Sequence, residues 1–566
     1  MATTPSPKSP ENDKSKRYDR QLRLWGERGQ MALESSHVCL IHANSVGTEI
    51  LKSLVLPGIR AFTIIDENKV TEDDFDSNFF LCIDGSLGQS RAKIASQLLM
   101  EMNNDVKKGD YVEENFETLL DQNEKYFTSF TLVIACGIDN ERSLNKLSQA
   151  LWTLNVPLLL VKSIGFLGYI RLQIREQQIL EPHPDNYLED LRLDMLFPEL
   201  KEFLDEFPDF KTLTRHELSR IPALVVIYKN LIKWQTKFGK NSNDIPKNYR
   251  EKSQLSSLIK EEIEFLKEKI TNSQNVIHTN EENGDALALG TIELENFEEA
   301  IKMINKVFIN SNRISENLQT LLNEATEPVR QCSSSFWVML AALKIFIEKY
   351  HCLPLKGSIP DMNCGSELYV KLQKIYKNKA QQDVDKMLKI IQKLPKTPNV
   401  VVSEKEVQLL CRNAPYLTVI RTNPIYNELT GDRLKKFSSR LQNGTDEEGS
   451  EFDELRFYLL MRIADRFYSK QNRLPGQHDD EIENDVSEMK REFRELCTDL
   501  GFNIFIKDEL VHEICRYGGC ELHSISAFIG GCAAHEAIKL ITGQYVPINN
   551  TFVYNGLNCT TMTYKL

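Results

Sequence analysis

Val38–Ile50 reads VCLIHANSVGTEI: a short β-branched and apolar run, a loop of small residues, then the start of a helical pattern. A strand that passes through a tight loop into a helix is the opening of a nucleotide-binding βαβ unit. A working phosphate loop of this type wants Gly-x-Gly-x-x-Gly. The first glycine makes the turn, the second lets the backbone approach a pyrophosphate, and the third lets the helix pack closely on the strand. Here those places hold His42, Asn44 and Gly47. Only the glycine that serves packing remains, so the stretch predicts a nucleotide-binding fold that has lost its own nucleotide.

Outward from this loop, Ser36–Ile41 reads as the strand, and ILKSLVLPGI as the crossover helix with a Pro57-Gly58 stop. A second strand, Ala61–Ile65, closes on Asp66, about 20 residues past the loop, where an acidic ribose partner would stand. A strand-end Asp that caps the following turn is the plain alternative. Phe130–Ala135 and Pro157–Lys162 are two more apolar strands. Strands alternating with helices predict an α/β fold, a Rossmann-like doubly wound and mostly parallel sheet.

From about Leu180 to Leu500 the pattern is helical and rich in Lys and Glu. Leu255, Leu258, Ile259, Ile263, Leu266 and Ile270 form one stripe, and Phe297, Ile301, Ile304 and Phe308 another. Phe336–Ile347 is the most apolar run, too short to span a bilayer and interrupted by Lys344, so it is expected to be a buried helix. Asn241–Lys252, His278–Asp285 and Gln442–Glu454 read as linkers or loops. The last 60 or so residues return to the first style, with a small-residue helix in ISAFIGGCAAHEAIKLITGQ and a terminal strand pair that begins in YVPINNTFVYNG. The expected organisation is a polar tail over 1–16, a discontinuous adenylation-type domain over 17–178 and 501–566, and an inserted, mostly helical domain over 179–500.

The chain has 566 residues and a formal net charge of −12, which argues against a general nucleic-acid or anionic-membrane binder. Its 12 cysteines contain no CxxC pair, so neither a zinc ribbon nor a thioredoxin-type site is supported. The opening MATTPSPKSPENDKSKR has no apolar core. A cytoplasmic location, with the nucleus as a second, is therefore expected.

YDRQLRLWG (Tyr18–Gly26), the strand and loop Val38–Gly47, IID ending at Asp66, SNFFL (Ser77–Leu81), SIGFLGY (Ser163–Tyr169) and FIGGCAAHEAIKLITGQ succeed one another along the chain. In that order they resemble the activating enzymes for ubiquitin-like proteins. HPDNYLEDLRLD (His183–Asp194) and GSIPDM (Gly357–Met362) are similar to the regulatory-subunit branch of the heterodimeric members, of the neddylation type.

The resemblance implies a division of labour. A catalytic subunit binds ATP and magnesium, adenylates the ubiquitin-like protein and captures it as a thioester for transfer to a conjugating enzyme. The regulatory subunit binds neither cofactor and completes the heterodimer. Where active relatives carry Ser-Asn-Leu-Asn-Arg-Gln, this chain has Ser77, Asn78, Phe79, Phe80 and Leu81, which puts apolar side chains in place of nucleotide ligands. Arg91 stands where a phosphate-binding Lys is expected, and Arg is not a neutral exchange there. Asp139-Asn140 resembles a magnesium-holding pair, but a polar strand-end loop is the expectation while the phosphate cradle is missing.

By the same resemblance Arg20 reaches across the dimer to the partner's ATP, against the plain alternative of a surface pair with Asp19. No cysteine lies in the Pro-x-Cys-Thr setting of a thioester site. Pro360, Asp361, Met362, Tyr369, Lys371 and Leu372 are candidates for partner contact, with ordinary helix packing as the alternative. Two rival functions are compatible with the fold: a self-sufficient homodimeric adenylating enzyme with a divergent loop, and a dinucleotide-dependent oxidoreductase. The side chains of His42 and Asn44 in the phosphate loop argue against both.

Overall fold

The structure is a computed structural model that describes residues 16–81, 83–185, 189–239, 244–277, 294–308, 314–326, 334–395, 400–428, 453–499 and 506–566. The expected loop His278–Asp285, nearly all of Gln442–Glu454 and all but the last residue of the tail lie outside the described residues. The chain divides into two compact units, Met1–Ile179 with Val419–Leu566, and Leu180–Thr418.

The first unit is built on an eight-stranded sheet. Its strands are β1 (His37–Ile41), β2 (Ala61–Ile65), β3 (Lys108–Val112), β4 (Leu132–Cys136), β5 (Leu158–Ile164), β6 (Leu167–Gln173), β7 (Thr551–Asn555) and β8 (Thr560–Tyr564). They lie in the order β8-β7-β6-β5-β4-β1-β2-β3. The five from β5 to β3 are parallel, and β6, β7 and β8 are antiparallel additions. The parallel order 3-2-1-4-5 is that of a doubly wound nucleotide-binding sheet.

Both faces are covered, which is why the central strands are buried, and mostly apolar, at successive positions rather than at alternate ones. Val38 and Leu40 of β1 face a core shared with helices Ser45–Val55, Arg91–Met102 and His523–Thr542. Cys39 and Ile41 face the opposite core, with helices Glu141–Leu154, Asp453–Gln471 and Ile482–Asp499. The small residues of His523–Thr542 let it lie close on Ser45–Val55: a Cβ added at Gly530 would stand 2.9 Å from Glu49 Cβ.

The expected return point at residue 501 needs correction, because the chain rejoins the first unit at Val419. Leu455, Leu459, Phe467, Val486, Met489 and Phe493 are buried against Val133, Leu160 and Tyr169 of the sheet. An amphipathic stripe announces that a helix has a core to face, not which core.

The second unit is helical, with a core drawn from helices that include Ala223–Phe238, Tyr249–Ile277, Glu295–Val307 and Ser366–Ile391. Leu255, Ile259, Ile263 and Leu266 are buried in it, as are Phe297, Ile304 and Phe308. The apolar run Phe336–Ile347 lies in the helix Ser335–Tyr350, whose Trp337, Leu340 and Phe346 are fully buried. Among the described residues no helix is long and apolar enough to cross a membrane.

Candidate functional site

Where β1 and β4 diverge, at the carboxyl ends of the parallel strands, a cleft of about 890 Å³ opens, lined by His42, Asn44, Arg91, Asp139, Lys162 and Glu521 among others. This is the topological switch point at which doubly wound sheets take their ligands. Seven carboxylates line it against three cations, Lys69, Arg91 and Lys162.

The loop residues are spent on the fold itself. The His42 ring is held in the cleft wall, with Nδ1 3.1 Å from the Cys136 carbonyl oxygen and its face edge-on to Phe116. Asn44 caps the helix Ser45–Val55, its Oδ1 accepting from the Gly47 amide at 3.1 Å. A Cβ at Gly47 would meet the His42 carbonyl oxygen at 2.6 Å, so the one retained glycine is needed for close packing.

The exposed amides of a helix N-terminus favour an anion, and a carboxylate from the far end of the chain supplies it. Glu521 accepts from the Ser45 amide at 2.9 Å and from Asn44 Nδ2 at 3.0 Å. Burial pushes its carboxyl up to about 7, against the pull of the Ser45 amide and of Arg91.

Asp66 does not present its carboxylate to the cleft as a ribose partner would. It accepts from the Ala43 amide at 2.8 Å, the Asn68 amide at 3.0 Å and Arg91 Nε at 2.7 Å. Burial raises this carboxyl, but the Arg91 guanidinium, the nearby His42 and the hydrogen bonds hold it below the ordinary range. The turn-capping alternative is the one observed. Arg91 also reaches Asp74 at 3.1 Å, so the residue at the phosphate-lysine position is engaged by two carboxylates.

Asn78 is buried and donates to the Ala43 carbonyl at 3.0 Å, while Phe79 is exposed and stacks on His523 with centroids 3.7 Å apart. Asp139 pairs with Lys162 at 2.9 Å, and Lys162, 3% exposed, is also bound by the fully buried Asp465. Asn140 caps Glu141–Leu154 through Oδ1 to the amides of Arg142 and Ser143. The side chains at the positions of phosphate and magnesium ligands are thus held by hydrogen bonds and ion pairs within this chain. Sequence reading missed Glu521, Lys162 and Asp465; no local pattern marks a pairing between residues 477 apart in the chain.

Arg20 stands elsewhere. It is exposed on the helix Asp19–Ser35 and does not line the cleft. That helix is anchored by Tyr18, whose hydroxyl donates to Asp105 at 2.8 Å, and by the Trp25 carbonyl, which accepts from Gln544 at 2.8 Å. The alternative pairing with Asp19 is not the observed one, since Asp19 pairs with Arg23 at 2.9 Å.

In the second unit the candidate contact residues separate. Leu372 is fully buried in the unit's own core and Met362 packs against that core. Leu372 as a contact is therefore corrected to helix packing: it lies on the inward stripe of Ser366–Ile391, together with Tyr376. Lys371 pairs with Glu206 at 2.6 Å, Tyr369 donates to Asp361 at 3.1 Å, and Pro360 is half-buried.

The sheet order, the crossover loop and the cleft at the switch point define the class as an adenylating-type nucleotide fold. The ThiF family model matches residues 18–566, and the chain belongs to the ThiF family. Over nearly its whole length it is similar to proteins named NEDD8-activating enzyme E1 regulatory subunit. It is 41% identical to that of Gallus gallus, over 98% of each chain, and 41% identical to that of Drosophila melanogaster, over 100% of each. The Arabidopsis thaliana regulatory subunit AXR1 is 36% identical over 97% of this chain and 96% of its own. Among solved structures, E. coli MccB matches at 14% identity and a TM-score of 0.27, over 31% of this chain and 48% of that one.

Proposed function

We propose that this chain is the regulatory subunit of a heterodimeric activating enzyme for a ubiquitin-like protein of the NEDD8 type, and that alone it carries out no nucleotide chemistry. The observation that carries the reading is the helix N-terminus filled by Glu521, beside an arginine already bound by two carboxylates. Near full-length likeness to chains named as regulatory subunits supports it. In this reading ATP and magnesium belong to the catalytic subunit, and the ubiquitin-like protein and its conjugating enzyme meet this chain through the complex. It works in the cytoplasm and, as a second location, the nucleus.

Arg20 is the residue assigned to the partner's reaction. A planar, permanently charged guanidinium donates two parallel hydrogen bonds to phosphate oxygens. Supplied in trans to a drier site, it stabilises the charge that builds as pyrophosphate leaves. Its exposure on an anchored helix, outside this chain's own cleft, supports that role.

The test is ATP–pyrophosphate exchange dependent on the ubiquitin-like protein. The chain alone is expected to give none, and the mixture with the catalytic subunit to exchange strongly. Arg20→Ala should assemble normally and slow exchange by about 10²-fold or more. Exchange by the chain alone would overturn the reading; a normal rate with Arg20→Ala would remove the arginine from it.

A further inference from the structure

The second unit holds a cleft of about 550 Å³ between the helices Ser366–Ile391 and Glu404–Asn413, floored by the segment Leu355–Ser358. Each helix turns one stripe toward it. Lys377, Ala380, Gln381 and Val384 have the i, i+3, i+4, i+7 spacing of a single face, and so do Lys405, Gln408, Leu409 and Arg412. The result is an apolar floor of Leu355, Val384 and Leu409 with a cation at Lys356, Lys377, Lys405 and Arg412.

Two features set this groove apart. In a chain of net charge −12, the described residues that line it include four cations and no carboxylate. Glu189 stands just outside the lining, 3.9 Å from Lys356. Of the acids on the two helices, Asp383 accepts from the Leu355 amide at 3.2 Å and pairs with Lys379 and Lys386, Glu406 closes the capping box of its own helix, and Asp385 and Glu404 accept from the groove's Gln381 and Gln408 at 3.1 and 3.2 Å. Second, the Ser358 hydroxyl is buried on the groove wall without a hydrogen-bond partner among the described residues. A buried polar group left unpaired costs free energy that an incoming acceptor would relieve. Lys356 points the same way: burial, with Arg412 nearby, lowers its affinity for a proton, and Glu189 only partly offsets this.

We infer that this groove is a docking site for an acidic protein segment that seats one apolar side chain on the Leu355–Val384–Leu409 floor, sets carboxylates against the four cations and accepts a hydrogen bond from Ser358. Charge complementarity selects the occupant: four cations around one apolar floor repel one another, and a segment that brings carboxylates relieves the repulsion. The site lies outside the nucleotide-like cleft and does not depend on how that cleft is read.

The experiment uses the full chain and a fluorescein-labelled peptide, Glu-Glu-Leu-Glu-Glu, monitored by fluorescence anisotropy at low and at moderate salt. Binding that weakens with salt is expected, with about tenfold or greater loss in Lys405→Glu/Arg412→Glu. The peptide with Ser in place of Leu should bind several-fold more weakly, and the one with Lys in place of Glu not at all. Ser358→Ala provides the control against misfolding. It removes an unpaired hydroxyl, so thermal stability should hold or rise while peptide affinity falls. No binding to the first peptide, equal binding by the charge-reversed variant, or full competition by millimolar inorganic phosphate with no preference for Leu over Ser would each overturn the proposal.

Discussion

Replacing Glu521 by Gln keeps the shape of the side chain that fills the N-terminus of Ser45–Val55 and deletes its titration. In the fold, burial sets this carboxyl at about 7, against an ordinary 4.5. The folded state therefore holds the proton more tightly than the unfolded chain does. The group contributes stability that is fully present below pH 4.5 and is lost as the pH rises through about 7. The whole shift amounts to about 3 kcal/mol, most of it falling between roughly pH 5 and roughly pH 8. Gln cannot titrate, so the stability difference between the parent chain and Glu521→Gln must move by that amount across the window, with the variant gaining on the parent as the pH rises. Gln offers only one acceptor oxygen to two donors, but that penalty is constant with pH and drops out of the comparison. Urea unfolding at the two pH values, read by hydrogen exchange in peptides from β1 and Ser45–Val55, confines the measurement to the first unit. A difference constant to within about 1 kcal/mol across the window would refute the reasoning, because it would mean that Glu521 titrates as an ordinary surface carboxylate.

Lys162→Met should destabilise the first unit by about 3–5 kcal/mol, since it strips the buried Asp465 of one of its two cations and leaves the charge in place. Thermal unfolding measures it, and a loss under about 1 kcal/mol would show that Asp465 is already neutral. Leu372→Ala should cost about 2–5 kcal/mol in the second unit, as a fully buried side chain does, while leaving heterodimer affinity unchanged. The reverse pattern, with stability intact and assembly weakened, would return Leu372 to the partner surface.

The parallel core was legible in residues whose environment is uniform. Ala61–Ile65 is buried at every position and reads as a strand from its composition alone. Lys108–Val112 does not: KGDYV is an edge strand whose pairing with β2 is made by the backbone, and Lys, Gly and Asp, types depleted in strands, outnumber its Tyr and Val. The missing phosphate glycines at His42 and Asn44 were readable because a loop's backbone needs are local. The acid at the N-terminus of Ser45–Val55 was not, because Glu521 sits in a short connection between two helices, with nothing to distinguish it from other surface acids until the chain folds back. Asp66 shows the middle case, in which position fixed that an acid mattered and only the neighbours Ala43, Asn68 and Arg91 showed for what.

The separation of 477 residues between Asn44 and Glu521 has a consequence for synthesis. A ribosome working at about 5–20 residues per second delivers Glu521 roughly 25 to 95 seconds after Asn44. Throughout that interval the strands β1 to β6 can form, but the helix Ser45–Val55 lacks both its capping anion and the small-residue helix His523–Thr542 that covers it, and β6 lacks its neighbour β7. The nascent chain therefore carries an uncovered apolar face and an unpaired sheet edge for on the order of a minute, the kind of surface on which chaperones act and from which premature termination would yield an aggregating product rather than a smaller working one.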